Sequence, residues 1–387
     1  MNFGYPPTSH QIQNNRSLED MNRKDFVKLC GILGIGVPFQ FSLNACSNDD
    51  VPNPQFNGRV VIIGAGAGGL SAGYLLNQLN IDYEILEASS INGGRMRIDT
   101  DFADFPIPLG AEWLETNAGV LGEIVNDSSV QVDIETFSDA PDLKFVNSSW
   151  YSFYQEYILP SVSSKITYNT VVESIDYSND QVVVRTANQE YTADRVIVAV
   201  PLRILQLGNI NFTPQLPTDK LNAINGPTVW EGFKAFFEFS TNFYGEGHAF
   251  NISPETDGQK IYYNASLGQN TTKNILGLFT VGTPAQDLIA KSGDELRDFI
   301  LNELDGLFNN QATPNYVKHI TQNWNDEPYI QGGYLTDHAN WRTVRTLGEP
   351  VANKVYFAGG AYTDGEDWVS VHLAAKSARE AVTRLSN

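Results

Sequence analysis

The chain has 387 residues, 42 % apolar and 18 % charged, with 25 Lys and Arg against 45 Asp and Glu, a formal charge of −20. That apolar mass excludes a disordered chain, and two cysteines exclude a disulfide scaffold. A pI near 4.5 lacks the basic footprint of a nucleic-acid binder, so no nucleic-acid partner is expected.

The chain starts with an export pattern. Met21-Asn22-Arg23-Lys24-Asp25-Phe26-Val27-Lys28 is basic, residues 29–39 are apolar, and Leu43-Asn44-Ala45-Cys46 follows. The apolar run is too short to span a bilayer. A basic start, a short apolar stretch and small residues form a cleavable signal. The first stretch resembles a twin-arginine signal with Lys in the second slot, and the last resembles a bacterial lipobox. Residues 1–45 are therefore expected to be an export signal, with Cys46 the lipid anchor to the cell envelope and 46–57 a linker. A buried N-terminal helix is the alternative. Residues 46–387 hold no second cysteine, so neither a disulfide nor a cysteinyl–cofactor link is expected.

Arg59-Val60-Val61-Ile62-Ile63 reads as a buried parallel strand. It enters Gly64-Ala65-Gly66-Ala67-Gly68-Gly69, a helix from Leu70, and a second strand, Tyr83-Glu84-Ile85-Leu86, that ends at Glu87. This is strand, G-x-G-x-x-G, helix, strand, acid. Gly64 makes the tight turn, Gly66 admits a pyrophosphate, and Gly69 lets helix and strand approach. The helix start, with Ala67 and Gly68, offers unpaired N–H groups to phosphate. Glu87 is placed for ribose hydroxyls. Ala88-Ser89-Ser90 brings no base for a 2′-phosphate, which disfavours NADP.

Two later signals imply a ligand longer than a mononucleotide. Asn92-Gly93-Gly94-Arg95-Met96 puts backbone and a charge-assisted donor near a second phosphate. Val355-Tyr356-Phe357-Ala358-Gly359-Gly360 is another apolar strand ending in glycines, before helical periodicity over 368–384. That late helix start could face the anionic edge of a reduced flavin.

On these residues the chain resembles the flavin-containing amine oxidases, the monoamine and polyamine oxidases. Further matches are Leu86-Glu87-Ala88, Leu109-Gly110-Ala111-Glu112-Trp113-Leu114-Glu115, Thr170-Val171-Val172-Glu173-Ser174-Ile175, Val196-Ile197-Val198-Ala199-Val200-Pro201-Leu202 and Phe357-Ala358-Gly359. The resemblance implies non-covalent FAD held by Gly64, Gly66, Ala67, Gly68, Gly69, Glu87, Ala88, Gly94, Arg95, Glu112, Trp113, Val172, Gly359, Gly360 and Val369. It implies three catalytic positions. Lys234, on the strand around Phe233 and Phe236, matches the lysine that holds a water at flavin N5; alone it reads as a solvent-facing strand lysine. Glu115 fits a Trp-x-Glu that meets the amine, or is a surface loop acid. Trp368 forms part of a wall over the flavin, or packs the helix start.

Some residues depart from the family pattern. Tyr334 stands where monoamine oxidases carry the covalent cysteine. Gly360 replaces a glutamate, and Val369 a tyrosine of the aromatic cage. The insertion over 116–161 is short, so the cap over the pocket is reduced.

The expected fold is α/β: a Rossmann-type FAD-binding domain (58–115, 163–228 and 336–387) interleaved with an α+β substrate domain (116–162 and 229–335). The latter is read as an antiparallel sheet with strands at 229–239, 248–253, 259–264, 275–281 and 319–324, and helices at 284–291 and 293–308. His10, His248, His319, His338 and His372 show no metal-ligand spacing, so no metal is expected. Neither a nucleophile elbow nor a P-loop is present. The expected function is oxidation of a small-molecule amine, polyamine-like or amino-acid-like, with dioxygen as acceptor and peroxide as product. The alternatives are a flavin dehydrogenase or desaturase with another acceptor, and a flavin-fold surface lipoprotein that only binds ligands.

Overall fold

The computed structural model describes residues 56–136, 143–245, 247–250, 258–335, 341–363 and 369–386. The export signal, Cys46, most of the linker and Trp368 lie outside them. Among the described residues no helix is long and apolar enough to cross a membrane.

Arg59–Ile63 is the centre of a five-stranded sheet. Asp82–Leu86 and Ile166–Thr167 lie on one side of it, and Arg195–Val198 and Val355–Phe357 on the other. All its pairings are parallel. Val60, Val61 and Ile62 have no exposed surface, as continuous β-branched runs require when helices cover both faces. The chain leaves Arg59–Ile63 toward one side and later returns on the other. This places a topological switch point at its carboxyl end, where open α/β sheets bind ligands. On one face, helix Ala67–Gln78 packs with the last helix, Val371–Ser386, around Leu70, Leu76, Ala375 and Ala378. On the other, Val172, Leu202, Ile224, Leu347 and Tyr362 form a second cluster.

The substrate sheet runs Gly247–Phe250, Gly258–Asn264, Asn274–Gly282, Gly232–Phe239, Tyr316–Asn323, all antiparallel. Phe233, Ala235, Phe237 and Phe239 face helices Thr283–Ile289 and Gly293–Leu307, where Ile300 and Leu304 are wholly buried. Each such side chain stabilises by about 1.5–3 kcal/mol. The expected strand over 229–239 is two strands. Val229–Trp230 pairs with Tyr334–Leu335 and Gly232–Phe239 with the sheet, because the chain passes from one partner to the other at Glu231.

The short insertion after residue 116 touches both parts of the fold. Helix Trp150–Tyr157 buries Trp150, Phe153 and Tyr154 in the cluster of the glycine helix, and the Ser71 and Tyr154 hydroxyls lie 2.9 Å apart. Its strand Leu143–Phe145 pairs with Trp113–Leu114 and reaches the substrate sheet through Lys144, whose Nζ donates to the Ala265 carbonyl at 2.6 Å. The segment thus sits on the cofactor domain and bridges to the other.

Candidate active site

One cavity of about 1040 Å³ runs from the glycine turn to the substrate sheet. At the first end the backbone shapes it. Gly64 adopts φ +100°, and a Cβ there would lie 2.8 Å from the Ala199 carbonyl oxygen. A Cβ on Gly69 would fall 1.9 Å from the Gly64 carbonyl, so Gly69 serves helix–strand contact and does not line the cavity. Gly66 has nothing within 4 Å of its Cβ position, which opens it to the cavity. The Gly93 N–H donates to Ala65 at 2.8 Å, folding Gly94 against Gly66. Glu87 accepts from the N–H of Ala65 (2.6 Å) and of Ser89 (2.9 Å); burial pushes its carboxyl up, and these two bonds oppose that. Its remaining lone pairs are still available to ribose hydroxyls.

Arg95 is partly buried in the wall. One guanidinium nitrogen donates to the Gly333 carbonyl at 2.8 Å, and among the described residues it forms no ion pair. Burial lowers its pKa, the phenols of Tyr334 and Tyr362 opposing. A partly buried cation on the cavity without a carboxylate partner fits an anionic ligand. Together with the glycine cradle and the start of helix Ala67–Gln78, it fits a dinucleotide pyrophosphate. Ala67, Gly68, Ala88, Val172, Gly359, Gly360 and Val369 also line this cavity.

Side chains build the other end. Lys234 and Glu112 are 3 % and 4 % exposed and their charged atoms lie 2.6 Å apart. The Lys234 ammonium also donates to the carbonyls of Pro108 (2.8 Å) and Gly110 (3.1 Å), and the Tyr263 hydroxyl donates to the same Glu112 oxygen. Burial pulls the Lys234 pKa down, Glu112 opposing, and raises that of Tyr263. Rings of Trp113, Phe236 and Tyr263 surround the ammonium at 5.1–5.9 Å.

Two of the expected residues are engaged within the protein. Lys234 is on the cavity face beside Phe236, but its three protons already meet three protein acceptors, which leaves no donor for a water. Glu112 lines the wall, yet its carboxylate is committed to Lys234 and Tyr263 rather than aimed at a cofactor. Glu115 and Trp113 line the cavity, with Trp113 edge-on to Tyr263 and Phe279.

Sequence reading missed Tyr263, Phe279, Trp324, Glu327 and Tyr362, all in the wall. Register explains the first two: Lys234 pairs with Phe279, which pairs with Ile261, two residues from Tyr263 on the same face. Glu327 forms a bidentate pair with Arg97, itself 5.3 Å over the Trp324 ring. The pair holds the Glu327 carboxyl below its ordinary value.

The family model for flavin-containing amine oxidoreductases matches residues 154–386, and that for NAD(P)-binding Rossmann-like domains matches 62–127. The chain belongs to the flavin-containing amine oxidoreductase family, whose cofactor is FAD. It is 27 % identical over 197 residues to lysine-specific histone demethylase 1B of Mus musculus, 49 % of this chain and 24 % of that protein. It is 22 % identical to polyamine oxidase 2 of Arabidopsis thaliana over 78 % of this chain and 83 % of that one. The chain spans under half the length of several relatives it matches. The solved structure of a putrescine oxidase redesigned in its cofactor binding superposes with a TM-score of 0.66, at 14 % identity, over 85 % of this chain and 98 % of that one. That likeness establishes the fold.

Proposed function

We propose that this chain oxidises small primary amines with non-covalent FAD and passes the electrons to dioxygen, giving hydrogen peroxide. The observation that carries the reading is one cavity joining the glycine cradle and Arg95 to an aromatic wall of Trp113, Tyr263, Phe279 and Tyr334. When bound, FAD accepts the hydride equivalent from the carbon next to the amine nitrogen. Gly66, Glu87, Arg95 and the first turn of helix Ala67–Gln78 hold the cofactor. Tyr334 offers no thiol for a covalent link. The rings exclude water and present π-faces to a cationic amine. Glu115 receives a distal ammonium on the substrate.

A second reading, a dehydrogenase using another acceptor, is favoured by one observation. The Lys234 ammonium is spent on Glu112, Pro108 and Gly110, so the water-holding lysine implied by the family resemblance is not provided by this residue. One experiment separates these readings. The full chain, reconstituted with FAD, is mixed anaerobically with mono-, di- and polyamines, then exposed to air. Bleaching of the flavin followed by one peroxide per turnover supports the oxidase. Bleaching without peroxide supports the dehydrogenase, and a flavin that never bleaches overturns both.

A further inference from the structure

Behind the Lys234–Glu112 pair lies a second lysine. Lys144 is 5 % exposed and its Nζ is 3.8 Å from Glu112 Oε1, on the side of the carboxylate away from Lys234. Glu112 Oε1 has no hydrogen-bond donor, and Glu112 and Lys144 together line a void of about 10 Å³ with Ser148, Ser149 and Gln269. Lys144 does not line the main cavity, while Glu112, Lys234 and Tyr263 do. Two ammonium groups therefore share one buried carboxylate, and only one of them meets the cavity.

The acceptor count separates the two lysines. Lys234 has three acceptors for three protons. Lys144 has one within hydrogen-bond distance, the Ala265 carbonyl. The easily lost proton of the cluster thus belongs to Lys144. Burial brings its pKa down to about 8, with Glu112 opposing and Lys234 adding to the fall. The groups facing it are Glu112 on the loop beneath, and Lys234 and Tyr263 on the substrate sheet. On the paired strand Ile134–Thr136, Glu135 lies directly across from it and is exposed.

We propose that Lys144 is a positioning residue for substrate charge: its ionisation decides whether the wall behind Trp113 is net positive or balanced, and so how well the cavity takes a cationic amine. With Lys144 protonated, two cations face one carboxylate and the wall repels an ammonium ligand. With Lys144 neutral, Glu112 and Lys234 balance and the aromatic faces receive it. This rests on the amine reading above.

The test uses tetramethylammonium, a cation with no proton to lose, titrated calorimetrically into the FAD-loaded full chain from pH 6 to 9. Wild type should bind about tenfold more tightly above pH 8 than below it, the size expected for one unit charge roughly 10 Å away at an effective dielectric of about 20. Lys144→Met should bind tightly at every pH and Lys144→Arg weakly at every pH. A buried lysine that only props the fold would not separate these two variants by charge. An unchanged pH profile in Lys144→Met, or equal binding by Met and Arg variants, overturns the proposal. Wild-type amine oxidation, run alongside, tests the underlying reading by itself: active enzyme with flat binding curves removes the role of Lys144 alone.

Discussion

The two ends of the cavity are built from different materials. At the cofactor end, Gly64 and Gly69 let backbone meet backbone, Gly66 opens onto the cavity, and Arg95 is a partly buried cation without an acid partner among the described residues. At the substrate end, the wall is made of side chains: Lys234 and Glu112 form a buried ion pair, Lys144 stands behind it, and Tyr263 and its neighbouring rings complete it. At the first end an added carbon on Gly64 or Gly69 would strike backbone, and one on Gly66 would enter the cavity. The second depends on how its buried charges are paired.

That contrast gives expected outcomes of decreasing size. Lys234→Met leaves Glu112 buried with its nearest cation removed. It should cost about 3–5 kcal/mol in urea unfolding of the cofactor-free chain, whereas Lys234→Met combined with Glu112→Leu and Lys144→Met, which leaves none of the three charges unpaired, should recover most of it. If the triple variant is as unstable as the single one, charge is not what the wall is built on. Gly69→Ala should cost about 1–3 kcal/mol and weaken FAD retention in gel filtration, because its Cβ meets the Gly64 carbonyl. Wild-type retention would show that the turn can yield.

The smallest effect concerns the rim. Arg97 depresses the Glu327 carboxyl, so the pair stabilises above the ordinary carboxylate range and loses its contribution as pH falls through the depressed folded value. Glu327→Gln should lower stability near neutrality by about 1 kcal/mol and flatten the acid limb of a thermal-melting pH profile. An acid limb identical to wild type would assign that limb to other carboxylates.

Much of the cofactor end was legible in advance. The strand, glycine turn, helix and acid are contiguous over residues 59–87, and each has a local conformational reason. Arg95, Val172, Gly359 and Gly360, which the resemblance names, line the cavity. The alternation of Phe233, Ala235, Phe237 and Phe239 correctly gave the packed face of the Lys234 strand. Trp368 lies outside the described residues.

Chain order alone settled the dinucleotide turn, the parallel core strands and the face on which Lys234 lies, because each depends on residues within a few positions of one another. Which acceptors take the Lys234 protons, that Glu112 turns inward, and that Lys144 stands behind it were decided by tertiary structure. Those contacts join residues more than thirty positions apart, most of them through strand register and through a cap segment packed on the opposite domain. A buried charge is fixed by whatever partner reaches it first, and a linear pattern holds no record of that distance.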